Sequence, residues 1–238
     1  MNREKDALEG ARSPRWRWLV LWPLTVLMGF ALAIIGLSAI GVIRARPYAF
    51  HGLPVDPPAP APDFALIDHN HQLVRLSDYR GRPVLLYFGF INCPDECPAT
   101  LATWKRVRDM LDADARQVRF LFITVDPRRD TPESLREYLA AFDPAFVGLT
   151  GSPEDIEAVA RAYTAYFVEV PITRAAPATD EAHTHTHDSS ATEAADDYLV
   201  DHTTLIHLID RAGNLIRVYP YDAAAEDIAA DILYLLDQ

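Results

Sequence analysis

The hydrophobic pattern divides the chain into three regimes. Leu19–Val42 reads LVLWPLTVLMGFALAIIGLSAIGV and carries no charge. That exceeds the roughly 20 apolar residues needed to cross a hydrocarbon core. Residues 47–62 come next, with Pro47, Pro54, Pro57, Pro58, Pro60 and Pro62, the composition of an extended spacer. From about Asp63 onward, short apolar runs alternate with helical periodicity. Phe64–Asp68 and Gln72–Leu76 predict a strand pair turning at residues 69–71. Pro83–Ile91 (PVLLYFGFI) and Val118–Val125 (VRFLFITV) are continuous apolar runs, the mark of strands buried on both faces.

Between these runs the period changes to that of a helix. A helix from Pro98 places Leu101, Trp104, Val107 and Leu111 on one face. Thr131 or Asp130 caps the next helix, with Pro132 near its first position and Leu135, Tyr138, Leu139 and Phe142 facing inward. Phe146–Thr150 predicts a short strand. Ser152-Pro153 opens a helix with Ile156, Val159, Ala160 and Tyr163 inward. Residues 172–197 break the pattern: rich in Ala, Thr, Asp and Glu, they predict a flexible insertion that carries His183, His185 and His187. Thr203–Ile209 and Leu215–Tyr219 then predict a hairpin, and Glu226–Leu236 a closing helix through Ile228, Ile232 and Leu235. Alternating strands and helices make this an α/β layered domain with a central sheet flanked by helices.

Charge orients the apolar span. Arg3, Lys5, Arg12, Arg15 and Arg17 precede it, and Arg44 and Arg46 lie just beyond it. The excess of positive charge before the span keeps the N-terminus in the cytoplasm and exports the remainder of the chain. A cleaved signal peptide would have an apolar region of only about 7–15 residues. The expected organisation is a cytoplasmic segment at 1–18, a transmembrane anchor at 19–43, a linker at 44–62 and an exported domain at 63–238. Residues 1–46 hold 7 of the 22 Lys/Arg and 3 of the 34 Asp/Glu, so the rest of the chain carries 15 against 31, a net charge of −16. A domain so acidic is unsuited to nucleic acid.

Cys93 and Cys97 are the chain's two cysteines, in the motif CPDEC directly after the first buried run. Outside the cytoplasm, two cysteines are most simply a pair. A disulfide across so short a loop constrains little of the unfolded chain, so a structural staple is a weak explanation. A dithiol where a buried strand meets its helix occupies the place used in thioredoxin-like domains. Helix N–H groups there stabilise a thiolate, while Asp95 and Glu96 oppose it and favour a bound cation. The three-residue spacer permits either a disulfide or convergence on one metal ion. Thiolates select soft metals such as Cu(I), and an added imidazole extends the choice to Cu(II) or Zn(II). Among the histidines, His51 reads as solvated spacer, His69 and His71 as turn residues, and His207 as part of a strand. His202 opens the strand at 203–209, and nothing in its spacing places it beside the dithiol.

The stretches YFGFINCPDECPATL, FITVDPRRDTPESLREYLAAFDP, VGLTGSPEDIEAVARAY and DYLVDHTTLIHLIDRAG together resemble the Sco/SenC family of copper chaperones for cytochrome c oxidase assembly. The resemblance runs from about Pro62 to Tyr234. It implies a thioredoxin-like domain behind a membrane anchor, with copper, as Cu(I) or Cu(II), held by Cys93, Cys97 and His202. It also implies that Asp126 influences the site, and that the partner is a copper-binding subunit of cytochrome c oxidase reached from the extracytoplasmic face of the inner membrane. The three histidines of the insertion lie outside the shared motif. Two functions fit these residues: a metallochaperone whose redox-active dithiol gates copper binding, and an enzyme, a thiol–disulfide oxidoreductase reducing a partner's copper-site cysteines. The second needs no His202. The absence of a proline in Leu199–Thr203, before the strand at 203–209, favours metal binding over oxidoreductase chemistry.

Overall fold

The structure is a computed structural model that describes residues 15–44, 48–171 and 198–238, with side chains for 22–36, 48–168, 200 and 203–238. The expected insertion at 172–197, with His183, His185 and His187, lies outside the described residues. The chain divides into two units, Met1–Ala49 and Phe50–Gln238.

The first unit contains helix α1 (Arg15–Arg44), with Pro23 inside it. Trp22, Leu27, Met28, Phe30 and Ile35 are all exposed on it. Among the described residues, no helix is long and apolar enough to cross a membrane.

The second unit is built on a mixed eight-stranded sheet. In chain order its strands are β1 (Leu53–Pro60), β2 (Ala65–Asp68), β3 (Leu73–Arg75), β4 (Val84–Gly89), β5 (Arg119–Thr124) and β6 (Val147–Thr150), then, beyond the separate ribbon β7 (Phe167–Pro171) and β8 (Tyr198–His202), β9 (Leu205–Ile209) and β10 (Asn214–Pro220). The spatial order is β1-β10-β9-β4-β5-β6-β2-β3. The central strands β4, β5 and β6 are parallel, and the outer ones pair antiparallel. Parallel pairing requires crossovers, and α2 (Glu96–Leu111) and α3 (Pro132–Ala140) supply them; α4 (Pro153–Ala162) and α5 (Ala225–Leu236) complete the helices of the described domain.

The continuous apolar runs are the central strands. Every residue of β4 is buried, and Phe120–Thr124 of β5 likewise. The helical stripes meet them: Leu101, Trp104, Val107 and Leu111 of α2, Leu135 and Leu139 of α3, Ile156 and Ala160 of α4, and Ile228, Ile232 and Leu235 of α5 are buried. Trp104 packs edge-on against Phe120 and Phe146, uniting α2 with the sheet.

Two local expectations change, and one alternative is decided. The Pro-rich segment is extended as expected, but Leu53–Pro60 is a strand on β10 rather than a bare spacer. Proline is tolerable there because β1 is an edge strand and loses few ladder donors. His51 is no solvated spacer residue either. Its Nδ1 lies 2.9 Å from Asp231 Oδ1, its backbone N–H donates to Asp231 Oδ2 at 3.0 Å, and Asp231 also accepts from the Tyr219 hydroxyl at 2.6 Å. A fully buried carboxylate on α5 collects these donors because burial without them would be costly. Finally, Thr131 is the cap of α3, accepting from Ser134 N–H, while Asp130 points inward.

Candidate metal centre

β4 ends at Gly89, and the chain turns through Phe90–Asp95 into α2. The turn is closed by Cys93 N–H donating to Phe90 O at 3.3 Å. The helix begins at Glu96, two residues before the Pro98 start expected from the sequence. Pro98 fits inside the first turn because its missing N–H has no partner to lose there. The earlier start places Cys97 within the first turn, with its backbone N–H donating to Cys93 Sγ at 3.4 Å. The outer sulfur thus receives one of the helix's unsatisfied donors.

Both cysteines are thiols, and both are buried: Cys93 is 8% exposed and Cys97 0%. Cys97 Sγ lies against the β4 backbone. A Cβ on Gly89 would stand 2.8 Å from it, so glycine is what admits the sulfur. The Tyr87 hydroxyl is 3.7 Å away. The hydrogen bond with Cys93, then burial, push the Cys97 thiol up, against the opposing pull of the Phe90 backbone and the Tyr87 hydroxyl. In the protein alone, therefore, the inner sulfur keeps its proton, and a cation is what would displace it.

The neighbouring strand end supports this loop. β5 ends beside β4, with Val125 N–H donating to Gly89 O at 2.8 Å. Asp130 is buried where the two strand ends meet: its Oδ2 accepts from Thr124 Oγ1 at 2.6 Å and from Ile91 N–H at 3.1 Å. Burial raises its pKa to about 6. Asp126, also buried, pairs with the Arg129 guanidinium and takes its place through its N–H, which donates to Thr124 Oγ1 at 2.9 Å. Asp130 is thus linked directly to the cysteine loop, through Ile91, two residues before Cys93. Its apolar surroundings were not readable from a motif that looks like a helix cap.

His202 is the last residue of β8, paired in register with Phe167 of β7. Its side chain lies outside the described set. Its place in the chain is informative nonetheless. Tyr87 pairs with Ile206 and Leu86 with His207, so β9 runs antiparallel to β4 and starts at the C-terminal end of β4. The β8–β9 junction therefore reaches the end of the sheet from which the cysteine loop departs. Among the described residues no three His, Cys, Asp or Glu side chains gather as a metal site. Other missed residues are Gly89 and Tyr87, for which the only sequence signal is a glycine and a tyrosine inside a buried apolar run.

Residues 56–237 match the family model SCO1/SenC. The chain belongs to the SCO1/SenC family. SCO1/SenC relatives include "Protein sco1" of Schizosaccharomyces pombe, 36% identical over 170 residues, which are 71% of this chain and 58% of that protein. The mitochondrial "Protein SCO2 homolog" of Bos taurus is 37% identical over 172 residues, 71% of this chain and 57% of its own. The match thus spans less than two thirds of these two proteins. Among solved SCO1/SenC structures, Bradyrhizobium japonicum ScoI with copper bound is 34% identical at a TM-score of 0.61, covering 74% of this chain and 99% of that one. Apo Sco1 from Thermus thermophilus is 34% identical at a TM-score of 0.63, covering 79% and 98%. The domain has the thioredoxin-like α/β fold of this family.

Proposed function

We propose that this chain is a membrane-anchored copper-binding protein that delivers copper to the copper-binding subunit of cytochrome c oxidase. The observation that carries the reading is the adjacent, buried pair of thiols at Cys93 and Cys97. Two soft sulfur donors at a helix N-terminus suit Cu(I), and a site with an added imidazole suits Cu(II). His202 is the third ligand, supported by the register that brings the β8–β9 junction to the end of β4. Asp126 acts from behind the ligands. The copper carried by ScoI of Bradyrhizobium japonicum adds support. Leu19–Val42 is the anchor, oriented by the arginines and lysine before it so that residues 63–238 stand on the extracytoplasmic side.

The test is copper stoichiometry with X-ray absorption on wild type and His202→Ala. A shell of two sulfurs and one nitrogen that loses its nitrogen in the variant is expected. Copper binding that survives replacement of both cysteines by serine would overturn the assignment. A second reading, reduction of a partner's cysteines, draws on the Cys97 N–H that donates to Cys93 Sγ, since such a donor favours an attacking thiolate. Disulfide reduction retained in His202→Ala, with copper binding lost, would mark that activity as separate.

A further inference from the structure

Tyr87 is fully buried in the middle of β4, a strand whose other side chains are apolar. Its ring packs against Trp104 and Phe122, centroids 6.2 and 6.1 Å away. Phenylalanine would fill that space equally well. A hydroxyl carried into such surroundings costs stability unless it meets a partner. Two partners are in reach, the Thr100 hydroxyl and a sulfur: Tyr87 Oη lies 3.7 Å from Cys97 Sγ.

The surroundings of Cys97 repeat the theme. Thr100, one turn further along α2, is fully buried, with its hydroxyl beside that of Tyr87. The Tyr138 hydroxyl of α3 is buried with no hydrogen-bond partner among the described residues. The Tyr87 hydroxyl thus stands at the inner sulfur beside a backbone donor from Phe90, while the outer sulfur, on Cys93, takes its donor from the N–H of Cys97. A thiolate or metal-bound sulfur can only accept hydrogen bonds, so a phenol beside it can only donate.

We propose that Tyr87 is a positioning residue of the dithiol: its hydroxyl donates to Cys97 Sγ, fixes that sulfur against β4, and makes the two sulfurs inequivalent. The inference rests on the reading of Cys93 and Cys97 as the working pair. Cys97 is then the held sulfur, and Cys93, at the edge of the site, is the one an incoming partner meets. Tyr87 touches no cargo itself and acts through Cys97.

The test uses the full chain in detergent, as wild type, Tyr87→Phe and Tyr163→Phe. Tyr163 is the matched control, a buried tyrosine whose hydroxyl donates to Pro62 O at 2.8 Å. Two readouts apply. In the reduced, metal-free protein, infrared difference spectroscopy reads the S–H stretches, and the chain's two cysteines supply both, assigned by Cys93→Ser. With Cu(II) added, absorption reads the sulfur-to-copper charge-transfer band. Tyr87→Phe is expected to move the Cys97 S–H band alone and, with copper stoichiometry unchanged, to shift the charge-transfer band to lower energy, because a sulfur relieved of its donor gives up charge more readily. Tyr163→Phe leaves both as in wild type. Spectra of Tyr87→Phe that match wild type in both readouts overturn the proposal. If wild type takes up no copper while Tyr87→Phe still moves the Cys97 band, the copper reading fails and the role of Tyr87 stands.

Discussion

A Cβ placed on Gly89 would stand 2.8 Å from Cys97 Sγ, and 2.8 Å from the Phe122 ring. The inner sulfur occupies the space that a side chain on the last residue of β4 would take. Gly89→Ala must therefore push the sulfur outward or tilt Phe122. Overpacking of this kind costs about 1–3 kcal/mol. The expected outcome is a lower melting temperature and a larger proportional loss of copper uptake, read by thermal unfolding and by metal analysis of the same samples.

Asp130 joins the ends of β4 and β5 through Ile91 N–H and Thr124 Oγ1. Asp130→Ala leaves the buried Thr124 hydroxyl without an acceptor, at about 1–3 kcal/mol, and the part-buried Ile91 N–H at less. The cysteine loop should loosen first, seen as faster hydrogen exchange at Ile91 and Cys93 than across β5.

Acid should act through Asp130 and His207 in opposite senses. Burial holds the Asp130 carboxyl at about 6 against an ordinary value of 3.8, so folding takes up a proton between these values. Its contribution is present below the unfolded pKa and lost as pH rises through about 6. His207, buried between Phe88 and Tyr163, is lowered by burial to about 4 from 6.5. Its contribution is present above 6.5 and lost as pH falls toward 4. Each amounts to about 3 kcal/mol by the size of the shift. Urea unfolding of His207→Phe across this range should show stability rising as pH falls, and Asp130→Asn should show it falling more steeply than wild type.

His51 fastens the residues before β1 to α5. Its hydrogen bond to Asp231 raises its pKa. The added hold is complete below the ordinary histidine pKa of 6.5 and fades as pH rises through the raised value. Limited proteolysis near residues 48–52 should therefore quicken at alkaline pH in wild type. In His51→Ala it should be fast at every pH, while the rest of the domain resists.

The sequence by itself determined the elements. Short continuous apolar runs bounded by turn residues read as strands covered on both faces, and β4 and β5 are that; stripes at helical spacing need an apolar layer to cover them, and α2 and α5 carry theirs buried. It also determined that Cys93 and Cys97 lie at a strand-to-helix turn, because their spacing and the run before them are local. What it could not settle depends on residues far apart in the chain. Asp130 reads as a cap until Ile91, 39 positions away, is found within its reach. His51 reads as spacer until α5 offers Asp231, 180 positions on. Gly89 and Tyr87 look like ordinary strand residues until α2 folds back and lays Cys97 against them. Tertiary structure decided these because buried polar atoms and close contacts are set by what packs across the sheet, and no local pattern records that. The ribbon β7–β8 belongs to the same class: two short strands paired across the break at 172–197, one of which ends at His202.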